Sequence, residues 1–412
     1  MMSLRKPSML LRIKREPFKK VALYSALLLM CVHWVHADVP EASLPIEQYH
    51  NAIERVEAEQ GAYATELADL YLGLGRALVN DDSLTEAQRA LQRGMQIERV
   101  NLGLDSLSQT PYLYLLADLD ASAGDHEAAQ EALDAIYRIS ANNFGATDAR
   151  MLEPLNQILS WQLQQYHNKP AKKAFAHVIA AEYAAQRIAR VLNTNIPMSD
   201  PRAPKLFKKL ATVQYLIAEH VDRYGLPSES GFQITSGASG STSSQSVTGL
   251  TYYRRGKSAL ESRVNALTQQ PAEDPIIQAS AIADLADWYL LFGQIQSARK
   301  TYQVAYETLS DDRVDADVRN TFFSEPVKID FSATSRQDPS NQKPVQINLW
   351  ITATGRVKNI EFVDPKEKLE EQEIRAIRSS VRSSRFRPRL TAGIPEAIGL
   401  QLSWANPAQV NG

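Results

Sequence analysis

The chain has 412 residues, 44% of them apolar and 22% charged, which is enough for two or three globular domains and excludes fibrous and low-complexity classes. Its 45 basic and 47 acidic side chains give a formal net charge of −2, so bulk charge offers no basic footprint for nucleic-acid phosphates. Cys31 is the single cysteine. A chain cleaved beyond it has no disulfide, cysteine zinc site or thiol nucleophile.

Arg5, Lys6, Arg12, Lys14, Arg15, Lys19 and Lys20 precede an uncharged run from Val21 to Val35 that ends in Val35-His36-Ala37. A basic segment, a short apolar core and a small residue before Asp38 predict a signal peptide over residues 1–37. The solid apolar stretch is shorter than the roughly 20 residues that span a bilayer. Met30 before Cys31 is too large for a lipoprotein cleavage site. Loss of the leader removes seven basic residues and one acidic, Glu16, and leaves a more acidic protein.

Residues 61–310 carry apolar side chains at three- and four-residue spacing with abundant Ala, Leu, Glu, Gln and Arg, which predicts helices. Gly61, Gly103 and Gly145 recur every 42 residues, in step with Ala87, Ala129 and Ala171. A fixed period of that length means stacked pairs of helices. Small residues at Ala87, Ala129, Ala171 and Ala298 let the second helix of a pair approach the first, and Leu91, Leu133, Phe175 and Tyr302 fill the space one turn later. Gly124, Gly225 and Gly293 fall where the first helix ends, a position that favours a left-handed residue. In the first and third units Asn80-Asp81-Asp82 and His167-Asn168-Lys169-Pro170 take that role.

Asn193 to Pro204, with three prolines, reads as a stiff connection. Leu226 to Gly249, rich in Ser and Gly, reads as a loop inserted in the fourth unit, because it buries too little apolar surface to order itself. The repeated positions resemble the tetratricopeptide repeat family, in the longer 42-residue variety of kinesin light chains, over about 61–190 and 203–310. The resemblance implies an α-solenoid that binds other proteins. The helical domain is expected over 38–310.

Beyond Asp311 the pattern changes. Val327–Phe331 and Val345–Ile351 alternate apolar and polar residues as half-buried strands do, Thr354-Gly355 turns into Val357–Val363, Leu369–Ser384 reads as a helix, and Ile398–Trp404 alternates again. These elements, with Phe386-x-Pro388 and Gly393-x-Pro395, resemble the C-terminal domain of TonB over about 326–405. A small α+β domain is therefore expected over 311–412. The resemblance implies a Gram-negative periplasmic setting and a strand edge that captures a short peptide of an outer-membrane receptor or other envelope protein.

Arg375, Arg378, Arg382 and Arg385 share one helix face, with Arg387 and Arg389 just beyond. They are candidates for an acidic partner, against the plainer reading of a solvated face balanced by Glu367, Glu370, Glu371 and Glu373. Tyr112, Trp161 and Trp288 lie on first helices and are candidate partner contacts, although aromatics at helical spacing also build cores. His50, His126, His167, His177 and His220 form no helical zinc pair, and no nucleophile, phosphate-loop or dinucleotide motif is present. No catalytic, metal or cofactor residue is assigned, so the expectation is a non-enzymatic periplasmic scaffold, its repeats holding one envelope protein and its terminal domain another. The alternative is an energy transducer of outer-membrane transport that keeps its leader as an anchor, the one membrane contact foreseen. It lacks the Ser-x-x-x-His spacing of such anchors, since Ser25 and His33 stand eight apart.

Overall fold

The computed structural model describes residues 44–168, 171–225, 244–270, 274–332, 345–363 and 369–404. The predicted leader and residues 226–243 of the Ser/Gly-rich insertion lie outside them. Contacts divide the chain into two compact units, with the boundary between Asn101 and Leu102.

In the first unit α1 (Ile46–Gln60), α2 (Glu66–Asn80) and α3 (Leu84–Leu102) follow the apolar spacing. A methyl group on Gly75 would stand 2.5 Å from the Leu91 side chain, so glycine lets α2 and α3 touch, and Ala87 and Leu91 are fully buried. Asp82 turns the chain between them at φ 63°, as expected of Asn80-Asp81-Asp82.

The second unit begins with pairs built the same way: α4 (Thr110–Ala123) with α5 (His126–Phe144), α6 (Leu152–Asn168) with α7 (Ala171–Asn195), α8 (Ala203–Tyr224) with α9 (Ser244–Thr268), and α10 (Pro275–Leu291) with α11 (Ile295–Thr308). Ala129, Leu133, Ala298 and Tyr302 are buried at their contacts. The side chain of Ala171 lies outside the described residues, although its backbone opens α7. Gly61, Gly103 and Gly145 adopt φ of 91°, 92° and 91°, the same turn three times. Gly124 and Gly293 take φ of 85° and 75° at the ends of first helices.

Two connections are shorter than the sequence predicted. The helix α7 runs to Asn195 and α8 opens at Ala203 with Pro204 in its first turn, where a missing N–H costs nothing. The end of the insertion, from Ser244, forms the start of α9.

After α11 come α12 (Ala316–Phe322), β1 (Val327–Lys328), β2 (Val345–Ile351), β3 (Val357–Phe362), α13 (Glu371–Ser383), β4 (Phe386–Arg387), β5 (Arg389–Thr391), β6 (Ile394–Glu396) and β7 (Ile398–Trp404). The strands β3, β2 and β7 make an antiparallel sheet in that order. Alternate residues Val345, Ile347, Leu349 and Ile351 pack with Ile377 and Val381 of α13, Phe386 and Trp404 in one core. The expected helix over 369–384 opens later because Glu370 and Glu373 form a capping box.

The expected strand Val327–Phe331 shortens to two residues paired with β4. Ile329 and Phe331 are nevertheless buried; the Ile329 N–H donates to the Arg385 carbonyl at 2.8 Å, whereas Phe331 packs against the preceding helices. The β5–β6 hairpin and α12 were not foreseen, although Ala392 and Gly393, with φ of 49° and 78°, are placed where a tight hairpin needs left-handed residues.

Candidate interaction surfaces

Asp284 and Asp287 stand three residues apart, which puts both carboxylates on one face of α10. Arg387 of β4 reaches them. Its Nη2 donates to Asp287 Oδ2 at 2.6 Å and its Nε to Asp287 Oδ1 at 3.1 Å, while Asp284 Oδ1 lies 3.5 Å away. Tyr302 Oη donates to Asp287 Oδ1 at 2.6 Å, and Asp284 Oδ2 takes Arg263 at 2.5 Å and Lys208 at 3.1 Å. Asp287 and Arg387 are 5% and 9% exposed. Burial acts to lower the Arg387 pKa, but Asp287 and its hydrogen bonds outweigh it and the net shift is upward. Burial and the neighbouring Asp287 raise the Tyr302 hydroxyl well above its usual range.

An apolar contact accompanies this network. The Phe331 ring lies 5.4 Å from Trp288 and 5.7 Å from Tyr215, between α10 and α8. A methyl group on Gly355 would come within 2.1 Å of the Phe386 carbonyl and 2.8 Å of Leu290, so the β2–β3 turn is wedged between β4 and α10. Buried contacts therefore cross the boundary expected at residue 311.

This packing corrects part of the aromatic reading. Trp288 is fully buried, with its indole N–H donating to the Tyr253 carbonyl at 3.1 Å, and Tyr112 is 1% exposed. Neither presents a surface to a partner, because both sit on the apolar stripe by which helices pack. Trp161 is also largely buried, but its indole N–H donates to Asp118 Oδ1 at 2.7 Å, on the wall of a cleft between α4 and α6.

Of the four arginines, Arg375, Arg378 and Arg382 are exposed. Arg375 donates to Glu371 at 2.5 Å, and Arg378 stacks over the Phe362 ring at 5.5 Å. Arg385 turns away and donates to the carbonyls of Ser384 and Arg382, at 3.3 and 3.5 Å. Burial, then the nearby Arg356, lowers its pKa. The expected four-arginine face is thus a face of three.

The sheet has two edges of different character. Along β3 the register shifts at Asn359, which takes φ 50°, and Lys358 and Glu361 project from it, devices that discourage pairing. All seven residues of β7 stay in register with β2, and the strand carries no charge, proline or bulge. Its outer edge pairs with no strand among the described residues. Ile398, Leu400 and Leu402 are only half-buried on the core side. On the opposite side Trp350, 44% exposed, covers Gly399.

Sequence reasoning missed two sets of residues. The sequence pattern sets Arg387 just beyond a helix face, and its acidic partners lie 100 and 103 residues earlier, beyond the reach of a local pattern. Asn101 and Asn143 share the 42-residue period and are the second set. Asn101 Nδ2 donates to the Tyr63 carbonyl at 2.9 Å, Asn143 Nδ2 to that of Asp105 at 2.6 Å and Asn195 Nδ2 to that of Thr147 at 2.6 Å. Each clasps the loop that opens its own helix pair.

No family model and no curated protein matches this chain. Among solved structures it is similar to a Podosopora anserina protein described as a kinesin light chain with nearly identical TPR-like repeats, at 16% identity and a TM-score of 0.35, over 59% of this chain and 96% of that one. It is also similar to BtubC (BKLC) from P. vanneervenii, at 14% identity and a TM-score of 0.37, over 64% of this chain and 89% of that one.

Proposed function

We propose that this chain is a non-enzymatic periplasmic adaptor of a Gram-negative cell envelope, in which tetratricopeptide-like helix pairs hold one protein and a TonB-like terminal domain captures an extended peptide of another. The observation that carries this reading is the β7 edge: seven uncharged residues in unbroken register, with one row of main-chain donors and acceptors unpaired by any described strand. A peptide added there gains main-chain hydrogen bonds, and its alternate apolar side chains extend the half-buried row of Ile398, Leu400 and Leu402. The leader supports export, and the spacing of Phe386-x-Pro388 and Gly393-x-Pro395 supports the TonB likeness. No cofactor or nucleic acid enters the reading.

The experiment is photocrosslinking in intact cells from a reactive side chain at Gln401 on β7, with Lys358 on β3 as the matched control. The expected result is an envelope protein attached at Gln401 and absent at Lys358. Equal labelling at both positions, or none at Gln401, overturns the reading. Mass spectrometry of the mature N-terminus tests the compartment: a start at Asp38 agrees with export and disfavours the anchored transducer.

A further inference from the structure

The helices α4 and α6 leave between them a cavity of about 420 Å³ lined by Asp118, Ser122, Trp161, Gln164, Gln165 and Asn168. The Trp161 indole N–H holds Asp118 Oδ1 at 2.7 Å and so fixes the carboxylate on the cavity wall. Asp118 differs from the two carboxylates of α10. Asp284 meets Lys208, Arg263 and Arg387, and Asp287 meets Arg387. No basic side chain pairs with Asp118 among the described residues. Asp118 is itself exposed on the cleft wall, with the protein on its inner side raising its pKa and the indole N–H offsetting that only in part.

We infer that this cleft receives an arginine side chain from the protein held by the helix pairs. A guanidinium presents five donors in one plane, which suits a fixed carboxylate among three side-chain amides, each with a carbonyl oxygen to offer. The inference rests on the adaptor reading, but it concerns α4 and α6, whereas that reading is tested at β7, so either can fail without the other.

The test is a titration of the full chain with the blocked tripeptide acetyl-Ala-Arg-Ala-amide, followed by the indole N–H resonance of Trp161, which is assigned by its loss in Trp161→Phe. Saturable movement of that resonance is expected, weakened by added salt and weakened roughly tenfold in Asp118→Asn. Asn keeps the oxygen that accepts the indole hydrogen bond and removes only the charge. A second variant, Gln165→Glu, adds a charge to the same wall and is expected to tighten binding. No movement, the same movement with a glutamine-centred tripeptide, or unchanged affinity in both variants overturns the proposal.

Discussion

The region α4–α7 and the junction of α10 with the terminal domain solve the same problem, joining neighbouring elements, by different means. Between α4 and α7 the contacts are close in sequence and uncharged: Ala129 of α5 is fully buried with Leu133 one turn on, the Asn143 clasp holds the loop before its own pair, and Gln162 Oε1 of α6 meets His177 Nδ1 of α7 at 2.8 Å. At the junction the chain buries an arginine against two aspartates 100 and 103 residues away, and seals the contact with Phe331, Trp288 and Tyr215. The lesson is that repeated pairs nest through small side chains, whereas attaching a different fold to the last pair takes a directional, charged contact that fits in one arrangement.

Three substitutions sharpen this contrast. Arg387→Ala leaves Asp287 buried without its counter-ion and should destabilise the second unit most, by roughly 3–5 kcal/mol, read from denaturant unfolding of the full chain. Ala129→Leu inserts bulk where α4 and α5 touch and should cost about 1–3 kcal/mol in the same assay, with the terminal domain unaffected. Asn143→Ala removes hydrogen bonds to the carbonyls of Asp105 and Ile139 and should cost about 1 kcal/mol. A loss for Ala129→Leu larger than for Arg387→Ala would reverse the ranking and with it the contrast.

The legible parts of the fold are those written in short-range pattern. The 42-residue step of Gly61, Gly103 and Gly145 reappears as one backbone turn repeated with nearly equal φ, and the alternation of Val345–Ile351 and Ile398–Trp404 reappears as paired strands. The burial of Trp288 is not legible in the sequence, because a helical aromatic has the same spacing whether it faces a partner or another part of its own chain. The alternation that predicts a strand through Phe331 is real, but the burial of Phe331 comes from α8 and α10. The open character of β7 was not legible either, since it depends on strand order and on the bulge at Asn359, and neither has a local signature.

Hydrogen exchange along the full chain, comparing the unmodified protein with Arg387→Ala, tests the central claim that the terminal domain is built into the last helix pair. Faster exchange is expected in α10 and α11 as well as in β4–β7, with α4 and α5 unchanged. Faster exchange confined to β4–β7, with α10 and α11 still protected, would contradict it.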